Sequence, residues 1–196
     1  MEVEYKWNLP SDVTLERMRS VLPLSHPEHI HMHATYYDTD DQQVYRMHGG
    51  LRMRSENELS ICCLKLDVSE PGECKKRQEF EAEAPSIIAG LEALPNVGAP
   101  RDICMQLIAG DPQIICETDF MRDAYAIQGS GFEAELAIDT GELRREERTA
   151  PIAELEFELK AGDEEAFNRF ADELESTYAL TAQPLSKLAR AMRLWA

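Results

Sequence analysis

Polar and apolar residues alternate over several short segments of this chain, which is the pattern of a β-strand with one buried face. In residues 2–7 (EVEYKW), charged residues take the even positions and apolar residues the odd positions. Residues 154–160 (ELEFELK) are the clearest case, with four charges on one face and three large apolar groups on the other. The same reasoning, supported by turn residues between segments, predicts further strands at 31–39, 51–54, 58–67, 77–83, 114–127 and 132–139.

Other segments carry apolar residues at helical spacing behind a residue that can cap a helix. Ser11, Ser86 and Ser186 are of the type that accepts hydrogen bonds from the free N–H groups of a first helical turn. The most regular segment is 163–178, where Phe167 and Leu174 fall on one helical face. The pattern predicts helices at 11–22, 86–94, 101–108 and 163–178, and a final helix after Ser186.

The charged strand faces decide how these elements are arranged. Their polar positions are mostly Glu and Arg, with little Ser, Thr or Gln, and their apolar faces are large enough to need cover from the helices. A sheet that packs its apolar face outward against helices turns its charged face inward. We therefore predict an α+β fold with a closed antiparallel β-barrel, a charged lumen and surrounding helices.

Composition narrows the class of protein. The chain has 196 residues, which suits one domain, and no linker or low-complexity tract divides it. Its formal charge of −17 disfavours nucleic acid and anionic membranes as partners. With no long apolar run and no signal-peptide pattern at the start, we expect a cytoplasmic protein. The five cysteines lack paired spacing and are expected to be reduced thiols.

A charged lumen is costly unless its charges are paired, hydrated or used to hold ions. Carboxylates provide the hard oxygen ligands that Mg²⁺ or Mn²⁺ prefers, and arginine and lysine bind phosphate oxygens. The two kinds of charge together imply a metal and a polyphosphate. The inward-facing acidic candidates are Glu2, Glu4, Glu79, Glu81, Glu135, Asp139, Glu156 and Glu158. The basic candidates are Lys6, Arg52, Arg54, Lys65, Arg77, Arg122, Lys160, Lys187 and Arg190.

Several of these residues occur in short motifs that follow one another along nearly the whole chain. The motifs are Glu2-x-Glu4-x-Lys6, Tyr37-Asp38-Thr39, Gly50-Leu51-Arg52-x-Arg54, Lys65, Arg77-x-Glu79-x-Glu81, Asp139-x-Gly141, Glu154-x-Glu156-x-Glu158-x-Lys160 and Ser186-Lys187-x-x-Arg190. With these motifs in this order, the chain resembles the CYTH superfamily, the triphosphate tunnel metalloenzymes.

The resemblance implies an eight-stranded antiparallel tunnel that hydrolyses or cyclises triphosphates with Mg²⁺ or Mn²⁺. It implies that Lys6 orients the acidic residues and assists a water or leaving group, with Glu4 as the second catalytic candidate. The metal ligands it implies are Glu2, Glu4, Glu156 and Glu158, supported by Glu81 and Asp139. The phosphate-binding residues it implies are Arg52, Arg54, Lys65, Arg122, Lys187 and Arg190, to which the charge pattern adds Arg77 and Lys160.

Two positions depart from the family pattern. Phe120 stands where the family often carries a second basic residue two positions before Arg122. The His-Phe motif that precedes the first strand in the bacterial adenylate cyclase branch is absent from this sequence. Cyclisation of ATP is therefore the less favoured reaction.

The favoured function is hydrolysis of inorganic tripolyphosphate or a related simple triphosphate, so the expected partner is a small anionic substrate. A class IV-type adenylate cyclase, a thiamine triphosphatase and a non-catalytic polyphosphate-binding module remain open, as does a homodimer. His29, His31 and His33 share one strand face and could bind a transition metal, although a solvated surface is the simpler interpretation.

Overall fold

The computed structural model describes residues 3–56, 59–67 and 77–195. Within them, eight strands form a single sheet in which every neighbouring pair is antiparallel. The strands are β1 (Glu4–Asn8), β2 (Glu28–Asp38), β3 (Gly50–Glu56), β4 (Leu59–Asp67), β5 (Arg77–Glu83), β6 (Gln113–Gln128), β7 (Phe132–Arg145) and β8 (Arg148–Gly162). Their order across the sheet is β1-β8-β7-β6-β2-β3-β4-β5.

The helices lie where the capping residues and the helical spacing place them. Ser11, Ser86 and Ser186 each accept a hydrogen bond from the backbone N–H three residues further on, which confirms all three as caps. The helices are α1 (Asp12–Val21), α2 (Gln43–Arg46), α3 (Ile87–Ala93), α4 (Arg101–Ala109), α5 (Glu164–Tyr178) and α6 (Lys187–Met192), with 3-10 turns at Leu94–Val97 and Arg193–Trp195.

The apolar face of one half of the sheet packs outward against α1 and α5. Trp7 of β1 and Phe157 of β8 are buried there, and the Phe157 ring stacks on Phe167 of α5 with 4.5 Å between centroids. The Trp7 indole Nε1 also donates to a carboxylate oxygen of Glu175 at 2.9 Å. This half therefore shows the predicted arrangement, with apolar residues outward under helices.

A second apolar cluster lies on the outer face of the other half, between β4 and the helices α3 and α4. Cys62 and Leu64 are fully buried against Leu91 and Leu107. The helix approaches the strand so closely at Gly90 that a Cβ there would lie 2.2 Å from the Cys62 Cβ. Only glycine permits this approach. The four described cysteines are unpaired and buried, as expected of packing thiols.

A third apolar cluster lies on the concave face and holds α6 against the sheet. Ala191 of α6 is fully buried among Phe120 of β6, Leu143 of β7 and Ile152 of β8. Because α6 docks inside the curl, its polar residues reach toward the charged strand faces.

The sheet curls so that both edge strands border the same cavity. Glu4 and Lys6 of β1 and Glu79 and Glu81 of β5 all line it. In the part of the chain described, no backbone ladder joins β1 to β5, so the eight-stranded antiparallel sheet is confirmed while closure of the barrel stays a prediction.

The β7–β8 hairpin extends both strands beyond the predicted limits, and the chain after β2 forms a short helix that was not predicted. β7 and β8 continue to a two-residue turn, in which Arg145 pairs with Arg148 and Glu146 adopts a φ of 52°. After β2, the buried Asp38 carboxylate accepts hydrogen bonds from the N–H groups of Val44 and Tyr45 and so begins the short helix α2. None of the helices in the described ranges is long and apolar enough to cross a membrane.

Candidate active site

The concave face of the sheet encloses a cavity of about 750 Å³. One side is lined mainly by carboxylates of β1, β7 and β8, which we call the acidic wall, and the other by cations of β3 and β4, which we call the basic wall. The acidic wall carries Glu4, Lys6, Glu135, Glu156, Glu158 and Lys160, and the basic wall carries Arg52, Arg54 and Lys65 with Glu79 and Glu81 of β5 beside them.

Glu4 and Lys6 of β1 lie beside Glu156 and Glu158 of β8 in the acidic wall. In the β1–β8 ladder, Glu4 stands opposite Glu158 and Lys6 opposite Glu156. The Lys6 ammonium lies 3.1 Å from a Glu4 oxygen and 3.2 Å from a Glu156 oxygen. Lys6 therefore contacts one carboxylate of its own strand and one of β8.

Behind Lys6, three carboxylates meet around a single ammonium. Asp139 and Glu154 are completely inaccessible to solvent, and oxygens of Asp139, Glu154 and Glu156 lie within 4.8 Å of one another. The Lys187 Nζ donates to Asp139 at 2.7 Å and to Glu156 at 2.9 Å, and it also contacts Glu154. We call Asp139, Glu154 and Glu156 the buried carboxylate group.

Two guanidinium groups complete the neutralisation of this group. Arg122 binds Asp139 with two parallel bonds, at 2.8 Å from Nε and 2.7 Å from Nη2, and also contacts Glu156. Arg190 of α6 contacts Glu154. The buried carboxylate group is thus matched by Arg122, Lys187 and Arg190.

These contacts determine the protonation states of Glu156 and Lys6. Burial opposes ionisation of Glu156, but Lys187 and Lys6 outweigh it and hold the pKa of Glu156 well below its usual range. Burial likewise opposes protonation of Lys6, yet Glu156 and Glu4 raise its pKa above the usual value. Lys6 is therefore an ammonium donor at neutral pH and a poor proton acceptor.

On the basic wall, each cation has a carboxylate partner. The Arg52 Nη2 lies 3.5 Å from Glu79, the Lys65 Nζ lies 3.0 Å from Glu79, and the Arg54 Nη2 lies 3.1 Å from Glu81. Burial opposes ionisation of Glu79, but the nearby Lys65 and the Cys63 hydrogen bond lower its pKa to about 2. Phosphate oxygens that bind this wall would compete with Glu79 and Glu81.

Cys63 is the thiol of the cavity. Its Sγ donates to Glu79 at 2.8 Å, and burial raises the pKa of Cys63 to about 12, against the opposing charge of Arg52. The thiol is therefore a hydrogen-bond donor here and not a thiolate nucleophile.

The predicted site residues separate into distinct places. Arg52, Arg54 and Lys65 lie together as predicted, whereas Arg122 and Lys187 lie among the carboxylates of the opposite wall. Lys160 is more exposed and pairs with Glu158 at 2.6 Å. Glu2 and the Arg77 side chain lie outside the described residues. Asp139 belongs to the buried carboxylate group, which Arg190 contacts. Glu81 pairs with Arg54. Glu4, Glu156 and Glu158 lie on the acidic wall.

Glu154, which was not assigned a role in the sequence, proves to be central, and the inward-facing candidate Glu79 joins two cations of the basic wall. Glu154 completes the buried carboxylate group, and its place in the Glu154-x-Glu156-x-Glu158 alternation is the signal that could have identified it. Glu79 joins Arg52 to Lys65 and stands in the same alternation as Glu81. Tyr36 also borders the wall, with its hydroxyl 3.5 Å from an Arg52 nitrogen.

Phe120 occupies the position where the family often carries a second basic residue. Its ring centroid lies 4.7 Å from the Lys187 Nζ and 5.9 Å from the Arg122 guanidinium carbon. Both distances are within the range of cation–π attraction. The aromatic ring thus supports the two neighbouring cations that neutralise the buried carboxylate group.

The profile of the CYTH domain matches residues 1–192. This chain belongs to the CYTH domain family. A curated relative, the inorganic triphosphatase of Haemophilus influenzae, is 28% identical over 180 residues, which are 88% of this chain and 49% of the relative. The chain therefore spans about half the length of that relative.

Solved structures share the CYTH fold over nearly the whole chain. An adenylyl cyclase candidate from Hippeastrum, described as having a dominant triphosphatase activity, superposes with a TM-score of 0.64 at 18% identity, covering 98% of this chain and 96% of that one. An adenylate cyclase candidate from Bacillus halodurans gives a TM-score of 0.61 at 21% identity, covering 95% of this chain and 94% of that one. At these identities the likeness establishes the fold.

The acidic wall of this CYTH domain has the donor chemistry for a divalent metal. Glu4, Glu156 and Glu158 present carboxylate oxygens to the cavity, the ligands that Mg²⁺ and Mn²⁺ prefer. Oxygens of the buried carboxylate group are close enough to share an ion, but there Lys187 stands at the centre. The other described group whose ligand atoms lie within 4.8 Å of one another is Cys63 with Glu79 and Glu81 beside the basic wall, whereas Glu4, Glu135, Glu156 and Glu158 are the glutamates of the acidic wall that line the cavity.

Proposed function

We propose that this CYTH domain is a metal-dependent triphosphatase that hydrolyses inorganic tripolyphosphate or a closely related simple triphosphate. The observation that carries the proposal is that one cavity has an acidic wall and a basic wall facing each other. A volume of about 750 Å³ falls in the range of small-molecule sites. The triphosphatase name of the Haemophilus influenzae relative supports the same reaction class.

The basic wall would hold the phosphate chain. Arg52 and Arg54 lie two positions apart on one strand, so both guanidinium groups face the cavity, and Lys65 on the next strand adds a point charge. Their current partners Glu79 and Glu81 would give way to phosphate oxygens. This exchange orients a triphosphate along the wall and leaves its far end toward the glutamates.

Glu4, Glu156 and Glu158 would hold Mg²⁺ or Mn²⁺. When bound, the cation would neutralise charge on the phosphate oxygens and acidify water in the cavity. Glu156 is suited to this role because its low pKa keeps it ionised. Asp139 and Glu154 would remain with Lys187 and Arg190 and fix the position of Glu156 from behind.

Lys6 would act as a hydrogen-bond donor to the substrate. Its raised pKa keeps the ammonium protonated between Glu4 and Glu156, so it can donate a hydrogen bond to a phosphate oxygen as negative charge develops there. Its two carboxylate contacts hold it at the boundary between metal and substrate. The proton of the attacking water would go to a carboxylate of the acidic wall, for which Glu4 is the candidate.

Closure of the sheet into a tunnel belongs to the same proposal. Both edge strands line the cavity, so pairing of β1 with β5 would separate the substrate from bulk water. Hydrogen exchange tests this directly. Amides of β1 and β5 should become more protected when metal and tripolyphosphate are added, and unchanged protection at both edges would refute closure.

A substrate panel tests the reaction. Purified protein is incubated with tripolyphosphate, thiamine triphosphate or ATP, each with Mg²⁺ or Mn²⁺, and phosphate and cyclic AMP are measured. We expect phosphate release, fastest from tripolyphosphate. Cyclic AMP from ATP would support the cyclase alternative, and metal-dependent binding without turnover would support a polyphosphate-binding module. Either outcome contradicts the proposal.

A further inference from the structure

A buried hydroxyl group faces the cavity without a hydrogen-bond partner among the described residues. The inner faces of β2 and β6 form the floor of the cavity, because these strands lie between the acidic wall and the basic wall in the sheet order. Thr118, Phe120 and Arg122 alternate along β6 and all line the cavity, so the side chain of Thr118 faces it. Thr118 is 1% exposed, and its Oγ1 is the unpartnered atom.

The neighbours of Thr118 on the adjacent strands are apolar. Its direct partner in the β2–β6 ladder is Ala34, and its direct partner in the β6–β7 ladder is Leu143. A buried hydroxyl that makes no hydrogen bond destabilises the fold, because it gives up the bond to water that it has in the unfolded chain. Valine has nearly the same shape and would avoid that cost. Packing therefore favours valine at position 118, and a polar ligand in the cavity would explain the hydroxyl.

A second unpartnered donor lies across β2 from Thr118. The Arg52 Nε is buried and has no hydrogen-bond partner in the described part of the chain. Arg52 stands opposite Tyr36, two positions after Ala34 on β2, so its guanidinium and the Thr118 hydroxyl border the same stretch of floor. A hydroxyl and a guanidinium N–H both donate to an anionic oxygen. Phosphate oxygens are therefore a ligand chemistry that satisfies both groups.

The position of Thr118 between the walls fits a substrate that crosses the cavity. In the proposed function the basic wall holds the phosphate chain and its far end lies toward the glutamates of the acidic wall, so the chain passes over the floor. The Thr118 Oγ1 would become accessible when a side chain beside it changes rotamer. Met32 lines the cavity two residues before Ala34, and an unbranched methionine side chain adapts readily.

We propose that Thr118 is a substrate-binding residue whose hydroxyl donates a hydrogen bond to an oxygen of the phosphate chain between the two walls. Because it requires a polyphosphate in the cavity, this role rests on the proposed function. An uncharged donor at this place adds affinity for phosphate without attracting the carboxylates that hold the metal.

Calorimetric titration of the metal-free protein with tripolyphosphate in EDTA tests this role, because binding is then measured without hydrolysis. Thr118→Val should raise Kd by about tenfold or more, as for a lost hydrogen bond to a charged group, and should melt no lower than the parent because it removes an unpaired buried hydroxyl. Thr118→Ser keeps the hydroxyl but loses a methyl group, so it should bind as the parent does and melt at a lower temperature. A purely structural role of Thr118 would move stability and affinity together.

Thr35→Val is the matched control. Thr35 is a buried threonine on the opposite face of β2, between the cavity-lining Ala34 and Tyr36, and its replacement should leave Kd unchanged. An equal Kd for Thr118→Val and the parent would overturn the role of Thr118 and leave the proposed function standing, and so would weak binding by Thr118→Ser. Failure of the parent to bind tripolyphosphate with or without Mg²⁺ would overturn both.

Discussion

Replacing Lys187 by methionine should destabilise the folded protein strongly. The Lys187 ammonium contacts Asp139, Glu154 and Glu156, of which the first two are inaccessible to solvent. Methionine keeps most of the side-chain volume but leaves the three carboxylates with Arg122 and Arg190, and Glu156 also with Lys6. Breaking a buried ion pair by removing one partner costs about 3–5 kcal/mol. For a chain of this length each kcal/mol lowers the melting temperature by about 2–4 °C, so we expect a fall of roughly 6–20 °C.

Thermal unfolding followed by circular dichroism measures this change, and Lys160→Met is the matched control. Lys160 also pairs with a cavity carboxylate, at 2.6 Å, but its side chain is 44% exposed. An exposed pair contributes below about 1 kcal/mol, so this variant should melt within a few degrees of the parent. Mg²⁺ should recover more stability in Lys187→Met than in the parent, because the carboxylates it uncovers can bind a cation. Equal melting temperatures for the two variants would refute the central role of Lys187.

Three further predictions concern the basic wall. Arg52→Ala should raise KM for tripolyphosphate by roughly 10- to 150-fold, as expected for a lost charged hydrogen bond worth about 1.5–3 kcal/mol, with a smaller change in kcat by steady-state kinetics. Cys63, with its pKa raised to about 12, should resist iodoacetamide at pH 8 in the folded protein and react readily in denaturant, as followed by mass spectrometry. Glu79→Gln should lower the free energy of unfolding by up to about 3 kcal/mol at pH 7. Because the Glu79 pKa falls from 4.5 to about 2 on folding, this contribution is present above pH 4.5 and is lost as the pH falls toward 2, so the urea midpoints of parent and variant should converge in acid.

The strands and helices could be predicted from the sequence because their apolar residues are regularly spaced. The alternation in 154–160 and the helical spacing in 163–178 each describe a face that is buried in the structure. The end of β7 and the start of β8 could not be predicted. The charged run from Arg144 to Arg148 shows no alternation, and its residues outside the turn at 146–147 are strand because β7 pairs with β8 up to that turn.

The sequence could not predict which wall of the cavity each cation lies on, for a different reason. Arg52 and Arg54 could be placed together because they share a strand face. Lys187 and Arg190 belong to α6, and their partners depend on where that helix docks, which Phe120, Leu143 and Ile152 decide from distant parts of the chain. Lys187 lines the cavity and contacts three carboxylates, and its phosphate-binding role stays a prediction.

The division of the cavity into a metal-holding wall and a phosphate-holding wall is tested most directly by one comparison. Phosphate release from tripolyphosphate is measured over a range of Mn²⁺ concentrations for the parent and for Glu158→Gln, which retains the size of the side chain but removes its charge. The parent should release phosphate only with the metal, and Glu158→Gln should lose turnover while still binding tripolyphosphate through Arg52 and Arg54. Full activity of Glu158→Gln at the same Mn²⁺ concentration, or metal-independent hydrolysis by the parent, would contradict the account.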